Sequence, residues 1–135
     1  MANTLYDKAR ERFARGQLNW DTDSIKVCLV DKNVYTPNFS SHEFLSDISS
    51  SAIVAPGVAL QNKTSVGGAC DANDVTFTAV TGSESEALII YKDTGDASTS
   101  PLLVHIDSAS GLPITPNGGD IIVVWDGGSN KIFKL

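Results

Sequence analysis

The stretch "VTFTAVTGSESEALIIYKDTGDASTSPLLVHID", residues 75–107, decides the fold. It holds three runs rich in Val, Ile, Leu, Phe and Thr, separated by connectors of Gly, Ser, Thr, Asp and Glu. Branched and aromatic side chains are stiff and pack well on a pleated surface, so each run reads as a strand. "VTFTAV" alternates, with Val75, Phe77 and Ala79 on one face and Thr76, Thr78 and Val80 on the other. No helix-length segment lies between the runs. A parallel crossover needs a dozen or more residues, so strands joined this closely are antiparallel neighbours.

The pattern continues downstream in "GLPITPNGGDIIVVWDGGSNKIFKL", residues 111–135. Two Gly-Gly pairs bracket "IIVVW", and "KIFKL" follows. "NGGD" and "DGGSN" read as tight turns whose glycines permit positive φ. "IIVVW" and "KIFKL" are then expected to be hairpin partners, with the last strand tied into the sheet. Ile121, Val123 and Trp125 share one face and Ile122 and Val124 the other, so Trp125 and Ile122 are expected in the main core or a subunit interface.

Upstream, "SIKVCLVD" is a two-sided apolar strand of the kind found inside a sheet: Ile25, Val27 and Leu29 on one face, Lys26, Cys28 and Val30 on the other. "SSHEFLSDI" reads as one helical turn, with Ser40 and Glu43 at capping-box spacing. "AIVA" is a short strand that meets Pro56-Gly57, a turn signal. The N-terminal segment reads as a helix over residues 4–15, capped by Asn3 or Thr4 and stopped by Gly16. Leu5, Tyr6, Ala9 and Phe13 form its apolar stripe. The expected architecture is mainly β: one domain over residues 1–135, with an N-terminal α-helix and a β body over residues 24–135. That body is an antiparallel β-sandwich or small barrel of about seven or eight strands.

The totals bound the function. The net charge is −6 and the isoelectric point about 4.6. A nucleic-acid binder must neutralise phosphates with Lys and Arg, so no nucleic acid is expected as partner, and no anionic membrane surface. No apolar run approaches the roughly 20 residues of a membrane-spanning helix. "MANTLYDKARERF" carries charges where a signal peptide needs an apolar centre, so synthesis in the cytoplasm is expected. Cys28 and Cys70 are far apart and form no C-x-x-C pair, which reads as two buried, reduced thiols.

Residues that carry chemistry are sparse. The two histidines are His42, expected in solvent, and His105, expected at a surface or half-buried strand position beside Leu103 and Asp107. Neither stands in a nucleophile elbow, a zinc-binding helix motif or a phosphate-binding loop. "DAND" supplies oxygen ligands but lacks the spacing and closing glutamate of a calcium loop. Asp, Asn and Gly make turns in their own right. No catalytic, cofactor-binding or metal residue is therefore assigned, and no cofactor is expected. The N-terminal segment is different. Residues 1–16 carry a net charge of +2 against −8 for the remainder. Leu5, Tyr6, Arg10, Phe13 and, just beyond, Trp20 form a candidate interface.

Six phrases taken together carry a resemblance: "LYDKARERF", "DSIKVCLVD", "HEFLSDI", "DVTFTAVTG", "EALIIYKDTG" and the 25 residues from Gly111 to Leu135. The chain resembles a family of small proteins of similar length from the structural modules of tailed bacteriophages and prophages, nearly end to end. That resemblance implies a non-enzymatic virion protein. The first expectation is a capsid decoration (cement) protein on the major capsid protein shell. The alternative is a tail or fibre component that attaches to a host surface. It also implies other virion proteins as partners and a homo-oligomer, and brings no site residue with it.

Overall fold

The computed structural model describes residues 4–107, 112–125, 127–128 and 131–135. The fold is mainly β, with antiparallel strand pairs and one α-helix. Its centre is a five-stranded sheet of β1 (Thr4–Leu5), β2 (Ile25–Val30), β3 (Ile53–Ala59), β6 (Ala87–Lys92) and β7 (Leu102–Ile106), in the order β1-β7-β6-β2-β3. Two two-stranded ribbons complete the described strands. One joins β4 (Ala69–Cys70) to β9 (Phe133–Lys134); the other joins β5 (Val75–Phe77) to β8 (Ile121–Val123). The helix α1 spans Asp7–Ala14 and lies against β7.

The middle of the sheet is built by the runs with no polar face. Cys28, Ile89 and His105 are register partners across β2, β6 and β7, as are Val27, Ile90 and Val104 on the opposite face. All six are 1% exposed or less, so both faces of the sheet are covered. Each large apolar side chain buried this way contributes roughly 1.5–3 kcal/mol.

Four expectations are corrected. The helix begins at Asp7, because the main chains of Thr4 and Leu5 pair with His105 and Val104 to add a strand to the sheet edge. Tyr6 is the N-cap residue in extended conformation, and its carbonyl accepts from Ala9 and Arg10. Asn3 lies outside the described residues. Gly16 does hold the left-handed stop position, at φ +70.

Pro56-Gly57 is not a turn. The strand runs through it, and between Val27 and Leu29 of β2 the opposite strand carries an extra residue, a β-bulge. Pro is tolerated there because β3 is an edge strand and needs no donor on that side.

The helical turn falls at Leu45–Asp47, a 3-10 turn. Its N–H groups are not held by Ser40 and Glu43; the Asp47 carboxylate accepts from Glu43 N–H at 2.7 Å and Phe44 N–H at 2.9 Å. Ser40 instead donates to Asn38 Oδ1.

Finally, β8 and β9 are not hairpin partners. Each crosses to a different, earlier strand, β5 and β4 respectively. In the expected "DGGSN" turn, Asp126, Ser129 and Asn130 lie outside the described residues. The "NGGD" turn is present. Gly118, at φ +88, donates to the Val80 carbonyl at 2.7 Å, and Val80 donates back to Gly119 at 3.0 Å. Ala79 takes φ +50, which ends the alternation of β5: Ala79 is exposed and Val80 buried.

Candidate assembly surface

The five residues singled out at the N-terminus are mostly consumed by the chain's own core. Leu5 is 7% exposed, Tyr6 0% and Trp20 3%. The Tyr6 hydroxyl bonds the Tyr35 hydroxyl at 2.7 Å, and the Trp20 indole donates to the Asp71 carbonyl at 3.0 Å. Phe13 is half-buried against Phe133, with ring centroids 6.2 Å apart, and Trp20 meets the same ring edge-on at 5.2 Å. Only Arg10 of the five is exposed. An amphipathic helix next to a sheet buries its stripe on the nearest apolar face, and here that face is intramolecular. The helix's other cations are paired: Arg12 with Glu43 at 2.7 Å, Arg15 with Glu11 at 2.8 Å, and Lys8 with Glu11 at 3.8 Å.

The surface that remains open is the β5–β8 ribbon. Register partners Val75 and Val123, and Phe77 and Ile121, turn inward; Val75 and Phe77 are 5% and 2% exposed. Thr76 and its partner Ile122 turn outward. Ile122 is 66% exposed and Val124 71%, so of the two places expected for Ile122, the main core or a subunit interface, the chain's own core is not the one it occupies. Alternation puts these residues on the second face of a ribbon that covers the body with its first face only. Trp125 is half-buried. Its main-chain N–H donates to Asp74 Oδ1 at 3.0 Å and its indole N–H to the Asn73 carbonyl at 2.9 Å, which fixes the end of the ribbon. The Asp120 carboxylate accepts from Ala79 N–H at 3.0 Å and ties the other end to the chain beyond β5.

Beside the ribbon lies a cleft of about 240 Å³ between the bulged edge strand β3 and residues 77–81, lined by Val54, Pro56, Val58, Phe77, Thr78 and Val80. Its walls mix apolar side chains with threonine and main chain, and none of its lining residues is titratable. The segment that carries the ribbon is one-sided in charge. From residue 64 to residue 130 the chain holds nine carboxylates and one basic residue, Lys92.

The groups that sequence reading weighed for chemistry have structural partners or none. Cys28 and Cys70 are both buried free thiols, and burial pushes them up to about 12 and about 11 respectively. The Asp71 main chain pairs with Thr64, and Asp74 caps Trp125, so "DAND" organises a loop. Among the described residues no group of three or more His, Cys, Asp or Glu side chains is placed to hold a metal ion.

Both histidine expectations are corrected. His105 is fully buried at 1% exposure, because β1 and Phe39 cover the β7 position that a bare edge would have left open. His42 is half-buried and stacked on Tyr35, its Nδ1 bonded to the Tyr35 hydroxyl at 2.9 Å and to Asn38 N–H at 3.0 Å. Sequence reading singled out this face through Ile122, as core or subunit interface, but did not include it in the candidate interface at the N-terminus. Comparison of the chain with protein-family models and with curated proteins finds no match.

Proposed function

We propose that this chain is a non-enzymatic structural protein of a bacteriophage virion, a capsid decoration protein that docks on the major capsid protein shell and acts there as a homo-oligomer. The observation that carries the reading is the exposed apolar face of the ribbon: Ile122 in β8 and Val124 just beyond it stand in solvent beside a cleft. Contiguous apolar surface of this kind is costly to leave in water and marks a contact surface. The acidic surroundings favour a partner with Lys and Arg around an apolar centre, since complementary charge steers encounter and rejects wrong partners. A tail or fibre component is the alternative, and copy number separates the two.

The test is gel densitometry of purified virions against the major capsid protein band. Hundreds of copies per particle support the shell; a few to dozens transfer the protein to the tail; absence from the particle ends the proposal. A second arm mixes Ile122→Asp protein with shells that lack it. Loss of at least about tenfold in affinity, with unchanged circular dichroism, is expected from a charge placed in a buried contact. Undiminished binding would remove the ribbon from the interface.

A further inference from the structure

The chain has two histidines, and the fold brings both to one place. Residues 4–7 are held from two sides. On one side β1 pairs with β7 through Thr4 and Leu5, and Tyr6 N–H donates to the Leu103 carbonyl at 3.0 Å. On the other side Asp7 N–H donates to the Phe39 carbonyl at 2.8 Å, and the Phe39 ring packs against Tyr6 at 5.2 Å and edge-on against His105 at 5.7 Å. The segment 35–44 thus closes over the N-terminal strand, and a histidine stands at each end of the closure.

The two imidazoles are held differently. His42 Nδ1 faces the backbone N–H of Asn38, which can only donate, so Nδ1 carries its lone pair. The Tyr35 hydroxyl can then donate to Nδ1 and accept from Tyr6. His105 has no hydrogen-bond partner on either ring nitrogen and is 1% exposed. A neutral ring tolerates that position, whereas a cation left there would be buried and unpaired.

The charged groups facing the two rings differ. Around His105 they are Asp107 on its own strand and Lys32 beyond β2, which pair at 3.2 Å, while Cys28 and Ile89 are its register partners across the sheet. Around His42 they are Asp47, engaged by two backbone N–H groups, and Glu43, paired with Arg12 of α1.

We propose that segment 35–44 is an acid-released clasp: protonation of His105 is compatible only with its open form, which frees residues 4–7 from β7 while the β2–β6 centre of the sheet stays folded. Burial, opposed by Asp107 and reinforced by Lys32, holds the His105 proton affinity below the usual imidazole range. The clasp is therefore at full strength above the ordinary imidazole value of about 6.5 and loses strength as pH falls below it. Opening bares Leu5, Tyr6 and Phe39, an apolar set able to dock elsewhere.

The experiment is residue-resolved amide exchange, corrected for intrinsic rates, at about pH 7.5 and about pH 5, on either side of the ordinary imidazole value. The amides of Tyr6 and Asp7 report the clasp; those of Ile89 and Ile90 report the sheet. In the wild-type protein the protection of the first pair relative to the second falls by about tenfold for each pH unit by which the closed form depresses a histidine. In the variant His105→Leu, which keeps an apolar group in the buried site, the relative protection stays level. No fall in the wild-type protein, or the full fall in the variant, overturns the proposal. If the variant fails to fold, the wild-type histidine resonances decide. Titration of the His105 ring while Tyr6 and Asp7 remain protected also overturns it.

Discussion

Replacing Gly57 with Ala tests the packing of the sheet edge at one atom. Gly57 lies in the β3 bulge, and Tyr91 reaches across β2 from β6 to place its phenol against it. A methyl group at residue 57 would meet the phenol oxygen, lie 2.9 Å from its Cζ and fall 3.2 Å from Lys26 Cβ. Real Cβ atoms do not make the first two contacts, so the ring or the strand must move. The ring cannot move cheaply, because Tyr91 is 5% exposed and burial pushes its hydroxyl up to about 12. Overpacking of this kind costs about 1–3 kcal/mol.

One term opposes it. Gly57 does not occupy positive φ, so alanine fits its backbone and restricts the unfolded chain, a gain of about 0.4–1 kcal/mol. The net expectation is a loss of about 0.5–2.5 kcal/mol, or a drop of about 3–5 °C in Tm per kcal/mol for a domain of this size. Urea unfolding with an unchanged slope measures it. The Tyr91→Ala background isolates the cause: there Gly57→Ala becomes neutral or stabilising, a coupling of about 1 kcal/mol or more. Wild-type stability in the single variant, or the same loss in both backgrounds, refutes the contact.

Two further outcomes are expected. Because the thiolate is the reactive form and burial pushes the Cys28 thiol up to about 12, an alkylating agent leaves Cys28 unlabelled in the native protein at about pH 8 and labels it after denaturation. Native labelling at the rate of a free thiol would contradict its burial. Trp125→Ala is expected to cost about 1–2 kcal/mol, below the roughly 3–5 kcal/mol of a fully buried aromatic, because the indole is half-buried and loses one hydrogen bond to the Asn73 carbonyl. A loss above about 3 kcal/mol would show the indole to be a core side chain.

The interior strands were legible because β2, β6 and β7 carry apolar residues on both faces, a pattern only a covered strand can satisfy. The antiparallel pairing was legible from the short polar connectors. What stayed hidden depends on partners distant in sequence. Pro56-Gly57 is a turn signal by local chemistry, and nothing nearby announces that Tyr91 fills the space above Gly57. Leu5 fits a helical stripe, but its main chain finds β7 first. For β8 and β9 the local glycines favour a hairpin, yet Phe133 gains Trp20 and Phe13 as ring neighbours by pairing with β4.

The candidate surface was misplaced for a related reason. An amphipathic stripe shows that a face must be covered without saying by what, and Leu5, Tyr6 and Trp20 are covered from within. The two-sided apolar run at 121–125 was read as doubly covered, whereas the body covers only one of its faces.

The pairing of β4 with β9, of β5 with β8 and of β1 with β7 sets the order in which the chain can acquire its shape. Each closure spans a long stretch of intervening sequence, so its loop entropy must be met before its contacts repay it, and folding belongs to the slow, high-contact-order regime of milliseconds to seconds. The aromatic cluster of Phe13, Trp20 and Phe133 is complete only after the third ring has been synthesised. A nascent chain therefore carries its N-terminal rings uncovered through most of translation, and a product that terminates before Ile132 keeps them so. Truncated products are expected to partition to aggregates or chaperones, which makes the segment around Phe133 a checkpoint on the whole domain.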